Sequence, residues 1–63
     1  MIVNQWNQVS TVKPPNNLVV ETKIDDAQGQ RNTVTLRFHD NLWWHADNGM
    51  YVYYQPTHWR YIS

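Results

Sequence analysis

From residue 18 onward the chain alternates apolar and polar positions. Leu18, Val20, Thr22 and Ile24 fall on one side, and Val19, Glu21, Lys23 and Asp25 on the other. A period of two carried by β-branched residues predicts a half-buried strand over 18–25. Asp26-Ala27-Gln28-Gly29 supplies a turn, with Gly29 free to adopt a positive φ. A second strand is predicted over 30–39, its apolar face Val34, Leu36 and Phe38 set against Thr33, Thr35, Arg37 and His39. These two strands form the first expected hairpin.

Asp40-Asn41 predicts a second tight turn, and Leu42-Trp43-Trp44-His45 a third strand. Asn48-Gly49 between strand-like residues is a strong hairpin signal that favours a type I′ turn. A fourth strand is expected over 50–55, ended by Pro56, and Thr57–Tyr61 reads as a short closing edge strand. Upstream, Trp6, Val9 and Val12 have a spacing that suits one helical turn as well as extended chain, before Pro14-Pro15-Asn16-Asn17 breaks regular structure. That segment is expected to cover the sheet and lay Trp6 across it. The predicted fold is all-β: residues 1–63 as one small domain, an antiparallel meander of four to five strands with an N-terminal cover segment.

With a two-residue turn at Asn48-Gly49, Trp44 is expected opposite Tyr53. One face of the last hairpin then holds Leu42, Trp44, Ala46, Tyr51, Tyr53 and Gln55, and the other Trp43, His45, Asp47, Met50, Val52 and Tyr54. Both faces are aromatic, and so short a chain has material to cover one of them. Exposed apolar patches rimmed by polar groups mark interaction sites, so one face is expected to meet a ligand or another copy of the chain.

Composition narrows the function classes. Five Lys+Arg balance five Asp+Glu over 63 residues, which leaves no electrostatic footprint for duplex nucleic acid or anionic lipid. Cysteine is absent, so disulfides and thiolate metal sites are excluded and the redox compartment is unreadable. Domains this small usually need a staple. Four Trp, four Tyr and one Phe are the expected one, and a homo-oligomer interface the next candidate. The opening Met1-Ile2-Val3-Asn4-Gln5 lacks a basic and an apolar region, and no apolar run approaches a membrane span. The expectation is a complete small gene product in the cytosol, with no membrane partner.

Catalytic chemistry finds little support. Asp25, Asp26 and Asp40 sit in or beside predicted turns, and neither Ser10 nor Ser63 stands in a nucleophile arrangement, so no enzyme activity and no cofactor is expected. His39, His45 and His58 with Asp40 or Asp47 make a metal site arithmetically available, but the spacings match no compact zinc motif. Stacking fits better. Aromatic rings and a guanidinium can sandwich a nucleobase, and Trp43, Tyr54, His58, Trp59 and Arg60 are the candidate ligand-binding residues. Trp and Tyr are equally the residues of protein–protein hot spots.

The order Trp6-x-x-Val9-Ser10, Pro14-Pro15-Asn16-Asn17, Asn41-Leu42-Trp43-Trp44, Tyr51-Val52-Tyr53-Tyr54 and Thr57-His58-Trp59 resembles a small family of unknown function common in phage and prophage genomes. That family opens on a Trp-x-x-Val-Ser-like segment and closes on a Thr-His-Trp signature. The resemblance implies phage origin, a small β fold and, if phage-encoded, the host cytosol; it supplies no activity and no catalytic residues. The family often carries Gly where Asp40 or Asn41 stands here. The resulting expectation is a non-catalytic phage-type binding protein. Its partner is a small nucleotide-like signal, sequestered as a counter-defence, or alternatively a host protein that it inhibits or engages; a virion accessory role is a third reading.

Overall fold

The computed structural model describes residues 5–47 and 49–62. Five strands form one open antiparallel sheet: β1 (Asn7–Gln8), β2 (Leu18–Asp26), β3 (Gly29–His39), β4 (Leu42–His45) and β5 (His58–Arg60), in the spatial order β1-β5-β2-β3-β4. The all-β antiparallel expectation holds, and β2-β3-β4 is the expected meander. No helix among the described residues is long and apolar enough to cross a membrane.

The long β2–β3 hairpin carries the fold. Its turn is fixed by Asp26, whose Oδ1 accepts the Gln28 N–H at 2.9 Å, and by Gly29 at φ 104°. Further along, Thr22 pairs with Val34 but Ile24 with Arg31, so Asn32 and Thr33 together oppose Lys23. Asn32, at φ 57°, absorbs this bulge in the left-handed region that Asn tolerates. The β3–β4 connection is a two-residue turn closed by the His39–Leu42 pair, with Asp40 at φ 59° and Asn41 at φ 63°. Positive φ at both central residues is the type I′ signature, which suits the twist of the flanking strands.

Three expectations need correction. The strand expected over 50–55 shrinks to a single bridge, Trp44–Tyr51, flanked by the His45 N–H donating to Met50 O (2.7 Å) and the Val52 N–H donating to Trp43 O (2.8 Å). Trp44 therefore faces Tyr51 rather than Tyr53. Asn48, on which the expected type I′ turn depends, lies outside the described residues. Because the register moves by two positions, Trp44 and Tyr51 keep one expected face, and Trp43 and Val52 the other. Finally, β5 is no edge strand. It lies between β1 and β2, pairing Lys23 with His58, Thr22 with Trp59 and Glu21 with Arg60. The chain after Val52 leaves the β4 edge to reach that gap, which is why the fourth strand ends almost as it begins.

The core lies on one face of the sheet. Val20, Leu36, Phe38, Trp43 and Trp59 project from the strands and are joined by Val9 and Val52, with Leu18, Val34 and Tyr54 packed at the margin. Pro56 is fully buried on the returning segment. Cover therefore comes from two stretches: Val9 on the N-terminal one, and Val52 and Pro56 on the other. Trp6 does lie across the sheet, but on the opposite, polar face.

Candidate functional site

The five candidate ligand-binding residues do not converge. Trp43 and Tyr54 belong to the β4 end of the sheet, whereas His58, Trp59 and Arg60 form β5. Strands β2 and β3 separate β5 from β4, a span of about 14 Å at ordinary strand spacing.

Each β5 residue already has partners within the fold. Trp59 is 2% exposed, and its indole N–H donates to Val12 O at 2.8 Å. Arg60 donates from Nε and Nη2 to Glu21 Oε1 at 2.9 and 2.7 Å, and its guanidinium carbon sits 4.4 Å from the centre of the Trp6 ring. Lys23 Nζ lies at the same distance from that ring and pairs with Asp25 at 3.3 Å. His58 Nδ1 is 2.8 Å from Thr57 Oγ1. Thr57 in turn accepts the Asp25 N–H at 2.8 Å and donates its own N–H to Lys23 O at 3.0 Å. The Thr57-His58-Trp59 run thus fastens β5 into the sheet. As stacking platforms Trp43, 5% exposed, and Trp59 are unavailable, because their rings fill the core.

What reaches solvent is a different set of rings. A cleft of about 240 Å³ at the β4 end is lined by Leu42, Tyr51, Tyr53 and Tyr54, floored by Trp43 and Val52, and bounded by the amides of Asn41 and Gln55. Tyr53 is 95% exposed and Tyr51 61%, and Leu42 and Met50 are exposed as well. The rings hold one another edge-on, Tyr53 to Tyr54 at 5.6 Å and Trp44 to Tyr51 at 5.7 Å between centroids. Burial, and then the neighbouring Tyr53 phenol, push the Tyr54 hydroxyl above its ordinary pKa, against a hydrogen bond from Asn32 that lowers it.

On the polar face of the sheet, opposite the core, Arg37 and His39 project from β3 next to β4. Trp44 pairs with Arg37 and Leu42 with His39, and the Trp44 indole N–H donates to His39 O at 3.0 Å. Arg37 Nε and His39 Nδ1 are buried without a hydrogen-bond partner. An unsatisfied buried donor costs about 1–3 kcal/mol, so these groups hold unused bonding capacity beside the exposed rings. Among the described residues no three metal-ligating side chains gather: His39 and His45 stand on β3 and β4, and His58 on β5.

No family model matches this chain, and no curated protein or solved structure does either. The surface must be judged on its own chemistry.

Of the candidate residues, Tyr54 lines the cleft and Trp43 floors it, while Tyr51 and Tyr53, weighed as stacking rings but left out of the candidate set, line it as well. One signal was present. Trp43 shares its parity with Val52, and Trp44 with Tyr51 and Tyr53; the face carrying Val52 is the one the core can use.

Proposed function

We propose that this protein is a non-catalytic interaction module that engages a protein partner through the aromatic surface formed by Leu42, Tyr51, Tyr53 and Tyr54. The observation that carries this reading is the exposure of Tyr51 and Tyr53 beside Leu42 and Met50, on a domain that buries Phe38, Trp43 and Trp59. Tyr side chains give large contact area at little conformational cost and are enriched where partners dock. A small nucleotide would need an enclosed stacking pair. Trp43 and Trp59, the expected platforms, are in the core, so a protein partner is favoured over a sequestered signal. The resemblance to small phage proteins points to a host-cell protein, met in the host cytosol.

The test is a photo-crosslinking residue placed at Tyr53, with native cell lysate as the source of partner. We expect one protein cross-linked in stoichiometric yield, lost in Tyr51→Ser and Tyr53→Ser while thermal melting is unchanged. Native mass spectrometry with linear and cyclic nucleotides supplies the opposing outcome: discrete nucleotide adducts and no protein cross-link would restore the sequestration reading. The same spectra report the oligomeric state, and a dimer that cross-links to itself at Tyr53 would assign the surface to self-association.

A further inference from the structure

We infer that Arg37 is the receptor for a carboxylate side chain of the partner, so that the segment docking on this surface is acidic as well as apolar. This rests on the interaction-module reading above and names the chemistry of what docks. Three arginines are present, and two are saturated inside the molecule: Arg31 by both carboxylate oxygens of Asp26 at 2.8 and 3.0 Å, and Arg60 by Glu21. Among the described residues Arg37 has no ion pair, and its Nε is buried without a hydrogen-bond partner. The neighbours that the register gives it are Val19 on β2 and Trp44 on β4, with Leu42 and Glu21 on the diagonals. Val19, Leu42 and Trp44 form an apolar collar, and the Glu21 carboxylate is occupied by Arg60. The remaining acids are Asp40, in the β3–β4 turn, and Asp47, in the loop after β4.

A guanidinium offers a planar fork of donors that matches a carboxylate in two parallel bonds. Set in an apolar collar rather than in open water, such a bond is stronger and more selective. His39, two residues along the same face, has a second nitrogen, Nδ1, buried without a hydrogen-bond partner. Exposed rings on one side and an unanswered cation on the other together describe a site for an acidic residue flanked by apolar ones.

The experiment uses the whole protein labelled with ¹⁵N and three probes: poly-L-glutamate, poly-L-lysine and inorganic phosphate. Poly-L-glutamate should produce saturable shifts of the Arg37 Nε–H and the Trp44 indole N–H, weakened by salt. Arg37→Gln should reduce the affinity by about tenfold or more, while Lys13→Gln, on the exposed N-terminal segment, changes it less than about twofold. Poly-L-lysine should leave both signals in place. Equal shifts at Arg31, Arg60 and Lys13, an Arg37→Gln variant that binds as well as the parent, or saturation by phosphate at lower concentration than by glutamate would each overturn the proposal. Should the lysate partner be lost in Tyr53→Ser but kept in Arg37→Gln, the interaction-module reading stands and this one falls. Glutamate binding at Arg37 with no protein cross-linked at Tyr53 is the reverse result.

Discussion

Trp59 shows how far a single ring can be from the role its neighbours suggest. Beside Arg60 and His58 it has the company of a binding residue, yet it is 2% exposed and hydrogen-bonded to Val12 O. Trp59→Ala should therefore act on folding, costing about 3–5 kcal/mol, enough to unfold a domain of this size. Trp59→Phe keeps most of the bulk and loses the N–H bond, an expected loss of about 1–2 kcal/mol; urea unfolding followed by circular dichroism separates the two. Tyr53→Ser, at 95% exposure, should move the same curve by less than about 0.5 kcal/mol. At the other end of the sheet, the Asp26 carboxyl is held down to about 2, first by its hydrogen bonds to Arg31 and then by the Gln28 N–H. A lowered folded-state pKa means stabilisation that is present above the ordinary value of 3.8 and lost as pH falls from about 4 to 2. The difference in urea midpoint between the parent and Asp26→Asn should accordingly be present at neutral pH and vanish across that window.

The strands and turns differ in how much of them the sequence discloses. Strands β2 and β3 were legible because their alternation is long and β-branched, and β4 because two turn signals bracket it. The fourth strand was not: Met50 to Gln55 has the residue types of a strand, but its length is decided by the return to the β2 edge, a demand set by residues far along the chain. Whereas the type I′ turn expected at Asn48-Gly49 involves a residue outside those described, the tight turn expected at Asp40-Asn41 stands where the residues put it and has type I′ geometry. There both residues occupy a region where L side chains are disfavoured and glycine is not. Asn41→Gly should raise stability by up to about 1 kcal/mol and Asn41→Val should lower it by more, read as opposite shifts in melting temperature. Thr57 is a comparable case on the other side of the sheet, because one hydroxyl serves both the Asp25 N–H and His58. Thr57→Val, which keeps shape and removes the acceptor, should cost about 1–3 kcal/mol and selectively speed amide exchange at Asp25.

Across the whole molecule, the open sheet divides its work between two faces. One is filled by rings that a chain this short cannot spare. The other carries charges: Lys23, Arg31 and Arg60 are answered by carboxylates, and Arg37 by none among the described residues. The candidate site was only half legible for this reason: parity sorts rings into two faces, but which face becomes core depends on where Val9, Val52 and Pro56 come to lie. Since β5 pairs with both β1 and β2, deleting residues 57–63 should remove more than one strand. We expect the truncated chain to lose the dispersed amide NMR spectrum of the sheet altogether.

The insertion of β5 also gives the sheet an order of assembly during synthesis. Asn7 reaches Trp59 across 52 positions of sequence, through its side-chain amide as well as through strand pairing. At about 5–20 residues per second, a ribosome needs about 3–10 s to span that gap. Throughout that interval β1 has no neighbour to join, while the β2–β3–β4 meander can already close on itself. The first strand to be made is thus the last to be used, and until β5 emerges the exposed edge of β2 is the nascent chain's most vulnerable feature.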